Sequence, residues 1–390
     1  MDARTRLFVA ILSTSLIGYL AAGSLLGRVM GDNTYGQLAV FNEVVRLIID
    51  GYVEPIDLER TMDGASRGLL EALDGDSAYL DPATLLQYKD PDSQGSADVG
   101  VELSRRFGFL MVVAARPGSP AEKAGLRPGD IVKSIGSTHS RPVSAVAGEL
   151  LLRGEPGSTV QVTLLRAGVD PIEMQLTRET MRGVPPESRI VEPGIGYVKV
   201  VDFSAGVAER LREELERLKR QRAERLVLDL RGAAFGEPGD AVPVAELFVA
   251  EGVLSRRKGR NVPEEVWQAR PDRVAWRMPL VALVDTGTSG PGEVLAAALS
   301  QSAEVPLVGG HTFGRTGIQK LLPLPEGGLL VTVATFQAPD ETAIHQRGLS
   351  PDVAVRVTEP EEGAEGEPTD EILEKALEQL RETGESEKAA

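Results

Sequence analysis

Apolar residues near the start of the chain recur at helical spacing. Leu38, Phe41, Val44, Val45, Ile48 and Ile49 fall on one face of a helix. Tyr52-Val53-Glu54-Pro55 ends it, because the residue before a proline resists the helical region. The pattern predicts a second helix over 58–73, a turn through Asp76 to Pro82, and a short third helix opened by Pro82. The polar stretch 91–97 has the composition of a linker. From Asp98 the pattern changes to short strands separated by glycine turns, predicted at 100–103, 109–114, 130–135 and 159–166, with one helix over 143–152. After Pro193 strands and helices alternate. Strands are predicted at 196–200, 226–230, 279–284 and 305–308, and helices at 205–222, 240–249 and 291–300. Alternation of this kind predicts a layered βαβ domain. Leu226-Val227-Leu228-Asp229-Leu230 is a continuous apolar run, as expected of a strand covered on both faces. Residues 359–368 are rich in Glu, Gly and Pro and have no core, and 370–380 is expected to form a short solvated helix.

Residues 7–26 carry no charge and are mostly apolar, long enough to span a hydrocarbon core of about 30 Å. Arg4 and Arg6 precede the run, which orients the start to the cytoplasm and the rest outward. An uncleaved signal anchor over 1–30 is therefore expected. The body would lie on the periplasmic, extracytoplasmic side of the inner membrane, in the cell envelope.

The composition, 42% hydrophobic and 26% charged over 390 residues, is that of a globular protein. The absence of cysteine excludes disulfides and thiol nucleophiles. His139, His311 and His345 are too scattered for a zinc cluster, so no metal or cofactor is expected. A net charge of −16 argues against nucleic acid. The charge is concentrated in residues 358–390, an acidic tail with twelve Asp/Glu and three Lys/Arg.

The segment Ser119-Pro120-Ala121-Glu122-Lys123-Ala124-Gly125-Leu126-Arg127-Pro128-Gly129-Asp130-Ile131-Val132 resembles the signature of a PDZ domain. In that resemblance Val99, Gly100, Val101 and Leu103 fall on the carboxylate-binding loop and groove strand. A peptide would then add as an extra strand, its terminal carboxylate on backbone N–H groups near Gly100.

Four further stretches resemble, in order, the core of the carboxyl-terminal processing peptidases, or tail-specific proteases. They are Leu228-Asp229-Leu230-Arg231, then Val284 to Glu293, then Gly309 to Gln319, then Gly348-Leu349-Ser350-Pro351-Asp352. The resemblance implies an α/β (α+β multidomain) fold. A helical N-terminal region (37–90) would be followed by a PDZ β-domain (96–180) inserted before a βαβ-layered ClpP/crotonase-like protease core (190–357), with the acidic tail at 358–390.

That family uses a Ser–Lys dyad. The frame of its nucleophile stretch puts the serine on Gly290, and the frame of its base stretch puts the lysine on Arg315. Gln319 matches the residue that orients the lysine. Glycine has no nucleophile, and arginine stays protonated. Pro291, next to the nucleophile position, has no N–H for an oxyanion, and Phe235 stands where a glycine is expected. Gly290 and Pro291 suit the cap and first position of a helix, and the Arg315 side chain is expected to reach Glu293 or Asp285. His139 and His345 are expected on the solvated surface. No intact catalytic residue remains.

The leading expectation is a non-catalytic pseudoprotease that binds C-terminal or extended peptides and scaffolds or regulates envelope proteolysis. The alternative is an active serine endopeptidase with Ser289 as a relocated nucleophile and His311 as base. A third reading is an envelope structural protein that uses neither groove. Candidate partners are peptide or protein C-termini, an active homologous protease, the membrane through the anchor, and a second copy in a homodimer. The anchor is testable by fractionation. The full chain should sediment with membranes with its body open to external protease, and replacing residues 1–30 by a cleavable signal should release a soluble product. Protection of the body in intact spheroplasts would overturn this.

Overall fold

The computed structural model describes residues 36–90, 95–356 and 370–389. The expected anchor lies outside the described residues, and no described helix is long and apolar enough to cross a membrane. The chain divides into two compact units, 1–65 and 66–390. The first contains a helix over 36–51 and the opening turns of the helix Leu58–Glu71.

The second unit is organised by a six-stranded sheet. Its order is Val353–Ala354, Leu307–Gly309, Leu280–Val284, Arg225–Asp229, Ile195–Lys199 and Glu187–Glu192. All neighbours are parallel except the last pair. Alternate residues of the apolar run point to opposite faces. Leu226 and Leu228 join a core with the helices Val207–Arg220, Ala241–Ala245 and Pro291–Ser302. Val227 faces the other way, with Tyr197, Val281, Leu283 and Val308.

That second face is covered by the C-terminal helix Glu371–Ala389, whose Ile372, Ala376, Leu377 and Leu380 are buried. The solvated helix expected at 370–380 is therefore a structural layer. Its charges obscured a helical apolar spacing through Ile372, Leu373, Ala376, Leu377 and Leu380. A strand apolar on both faces also requires two covering layers. The helix is tied down at its start by Arg231, which pairs with fully buried Asp229 and with Asp370, each at 2.7 Å. The Tyr197 hydroxyl donates to Asp229 at 2.7 Å, and Arg225 donates to the Leu380 carbonyl at 3.0 Å.

The PDZ segment folds as a sheet of Val101–Arg106, Phe109–Ala115, Ile131–Ile135, Thr159–Leu165 and Ile172–Thr177, with Thr138–His139 beside it. The helices Pro120–Lys123 and Ala145–Leu152 accompany this sheet. Among the described residues, Val101–Arg106 is an edge strand, paired on one side only. A third sheet, of Ala78–Leu80, Gly328–Gln337, Val253–Gly259, Val262–Gln268 and Gly317–Pro323, carries the loop before Gly317 toward the PDZ domain.

The packing of the C-terminal helix sets an expectation for stability. Leu380→Ala should destabilise the protein by about 2–5 kcal/mol in urea unfolding, as large core truncations do. Exposed Glu374→Ala should stay within about 0.5 kcal/mol. Equal, small effects would mean that the helix is not a core layer.

Candidate active-site cleft

The turn at Gly290 opens the helix Pro291–Ser302. Gly290 is its cap and Pro291 its first residue, as the sequence predicts. The backbone at Gly290 has φ +52°, a region that residues with a Cβ rarely occupy. Space is not the obstacle, since an added Cβ would meet only the Arg315 carbonyl, at 3.4 Å.

Glu293, fully buried, organises the surrounding backbone. Its carboxylate accepts from the N–H groups of Gly290 (3.1 Å), Gly314 (2.5 Å) and Arg315 (2.8 Å), and from the Thr312 hydroxyl (2.5 Å). Burial raises its pKa, and these four bonds act against that shift.

The Arg315 side chain does not reach Glu293 or Asp285. Its guanidinium pairs with Asp76 at 3.0 Å and with Glu102 at 2.9 Å, partners 239 and 213 residues away in sequence. Glu149 adds attraction from the PDZ helix. Burial lowers the pKa of Arg315, but the three carboxylates outweigh it and hold the group above its ordinary value. Gln319 donates its amide to the Asp76 carbonyl at 2.5 Å. Sequence reading missed Asp76, Glu102 and Glu149. The only available signal was that an arginine inside a cleft must be answered by acids, and proximity along the chain suggested the wrong ones. Asp285 is instead half-buried beside its own loop, accepting from Gly232 (3.1 Å) and Gly287 (3.0 Å), and desolvation raises its pKa.

The two positions line a cavity of about 470 Å³. Asp76, Glu102, Glu237 and Asp240 make it acidic, and among the described residues its lining holds no lysine or histidine. Ser289 borders it but is almost fully buried, with its N–H on the Ala233 carbonyl at 3.0 Å. His311 is exposed, does not line the cavity, and turns Nδ1 to the Thr312 carbonyl at 2.8 Å. The Ser289–His311 pair suggested by sequence is not assembled. His139 is exposed as expected. His345 is not on the open surface but lies enclosed beside Asp74 at 3.7 Å.

Phe235 is a seat for the PDZ domain. It packs with Phe313, Ala234, Val113 and Ala114, and its N–H is turned to the Val201 carbonyl at 3.4 Å. The Arg116 guanidinium lies 4.2 Å over the Phe235 ring and pairs with Asp202. Arg106 lies 4.2 Å over Phe313 and donates to its carbonyl. These arginines, with Arg315 on Glu102, join the PDZ strands to the core around the cleft.

In the PDZ groove, Val99 and Leu103 are fully buried, and only Val101 of the three keeps exposed surface. Gly100 has φ +75°, and a Cβ there would come within 2.3 Å of Ser119 Cβ. Its N–H is already bonded to Asp98 at 2.7 Å.

Residues 194–355 match peptidase family S41, and residues 111–166 match a PDZ domain. The chain is 28% identical to the carboxy-terminal processing protease CtpA of Bacillus subtilis (strain 168), over 90% of this chain and 78% of that protein. It is 30% identical to the carboxyl-terminal-processing protease of Picosynechococcus sp., over 76% of this chain and 74% of the relative. Among solved structures, the photosystem II D1 C-terminal processing protease aligns with a TM-score of 0.67 at 29% identity, covering 81% of this chain and 92% of that one. With a PDZ domain ahead of a layered core, a relative 30% identical over most of both chains and a matching solved fold, the chain belongs to the carboxy-terminal processing protease family, peptidase family S41.

Proposed function

We propose that this protein is a non-catalytic member of its family that captures C-terminal or extended peptides through its PDZ groove and cleft and so scaffolds or regulates envelope proteolysis. The observation that carries the reading is the pairing of Arg315 with Asp76 and Glu102. A general base must be able to lose and regain a proton near neutrality. A guanidinium held by carboxylates on two sides does neither, and Gly290 offers no hydroxyl. Pro291 has no N–H, and the N–H groups of Gly290, Gly314 and Arg315 are taken by Glu293. The expected anchor would place this activity on the extracytoplasmic side of the inner membrane, where an active homologous protease is the natural partner.

Two outcomes test the proposal. Wild-type protein incubated with an unfolded substrate ending in apolar residues should release no product above background, and a fluorophosphonate probe should leave it unlabelled. Gly290→Ser with Arg315→Lys should recover little, because dyad members act as a unit and Pro291 and Phe235 remain. Cleavage by wild type that disappears in Ser289→Ala would establish the relocated-serine alternative. In binding assays, peptides with a free C-terminal carboxylate should bind with about micromolar affinity. Their C-terminal amides should bind clearly less, and equal binding of acid and amide would remove the groove loop from the account.

A further inference from the structure

The open edge of the strand Val101–Arg106 is where a peptide would add. That edge is not free. Leu103 donates its N–H to Glu149 at 3.2 Å, from the facing helix Ala145–Leu152. Beside this contact lies a small cavity of about 160 Å³, bordered by Asp98, Gly100, Glu102, Glu149 and Leu152. We infer that Glu149 is a built-in occupant of the PDZ groove, held by Leu103 N–H, and that a peptide binds only by displacing it. This rests on the PDZ groove being the peptide-capturing surface.

The geometry places the carboxyl group on the groove strand. Leu103 N–H is a strand-pairing donor, so Glu149 stands where a peptide carbonyl would. Arg315 comes from the core loop and pairs with Glu102 on the same strand, so its positive charge lies near Glu149 and acts against the rise in its pKa. The residue keeps part of its surface, but its carboxylate end lies among protein atoms. The charged groups around it come from every neighbouring element. Glu102 lies on the strand, Asp76 on the turn before Ala78–Leu80 and Arg315 on the core loop. Asp98, Arg116 and Arg153 border the groove, and Glu237, Asp240 and Tyr88 line the cleft.

Displacement has a proton signature. In the closed groove, burial first, and then Glu102 and Asp76, push the Glu149 pKa up to about 8 against the pull of Arg315 and Leu103 N–H. Released to solvent, it returns to an ordinary carboxylate value of about 4.3. The closed state therefore holds the proton more tightly, acid favours closure, and opening between these values releases one proton. Peptide affinity should rise with pH by up to about tenfold per unit in this window and level off above about pH 8.

The test uses the full chain in detergent and a fluorescent decapeptide ending in Leu-Ala-Ala with a free carboxylate and no titratable side chain. Anisotropy titrations at pH 6, 7, 8 and 9 should give about a tenfold gain per unit up to pH 8 for wild type. Glu149→Gln keeps an acceptor for Leu103 but loses the titration, so its affinity should be flat with pH. Glu149→Ala should bind more tightly than wild type at pH 6. A wild-type affinity flat from pH 6 to 8, or a Glu149→Ala variant no tighter than wild type, overturns the inference. Hydrogen exchange on the peptide-free protein separates the two claims. The Leu103 amide should exchange at least about tenfold faster in Glu149→Ala, after correction for intrinsic rates. If no variant binds peptide, the peptide-capture reading fails, and the exchange result alone supports or overturns the occupied groove.

Discussion

A guanidinium inside a cleft has to be neutralised where it stands, and around Arg315 that requirement gathers residues from three regions of the chain. Asp76 comes from the turn after the N-terminal helices, Glu102 from the PDZ edge strand, and Glu149 acts from the PDZ helix. Removing one partner of such a pair leaves a desolvated charge, which costs far more than the pair itself contributes. The arginine thereby commits the PDZ domain, the cleft and the preceding turn to one arrangement. Arg116 and Arg106 strengthen it with rings on the core side. Held in this way, Arg315 is a structural cation.

Much of this was legible in the sequence because it is local. The apolar run 226–230, the cap and proline at 290 and 291, and the PDZ signature each specify geometry over a few residues, and the structure places strands and helices there. The family resemblance singled out Gly290 and Arg315, and both line the cleft. Contacts set by long-range topology were not legible. Arg315 finds partners more than two hundred residues away, because folding rather than sequence distance decides which acids meet it. The C-terminal helix was misread for a related reason. Its charges face outward, and its apolar stripe acquires meaning only against a sheet face that lacks another cover.

Glu293 illustrates how a single buried acid can fix the shape of a cleft. One buried carboxylate collects three backbone N–H groups and a hydroxyl from two loops that are distant in sequence. Buried acids persist only when hydrogen-bonded to this extent. The loops at 290 and 312–315 therefore stay in register regardless of which side chains project from them.

The left-handed backbone at Gly290 bears on how such a protein evolves. A residue with a Cβ held in that conformation stores strain of order 1–3 kcal/mol. An enzyme tolerates the strain because the exposed side chain does chemistry. With Arg315 held as a fixed cation beside it, glycine is the residue the loop itself prefers. A change to serine there would lose stability before it could gain anything else. Selection for a well-folded protein is enough to keep the position glycine.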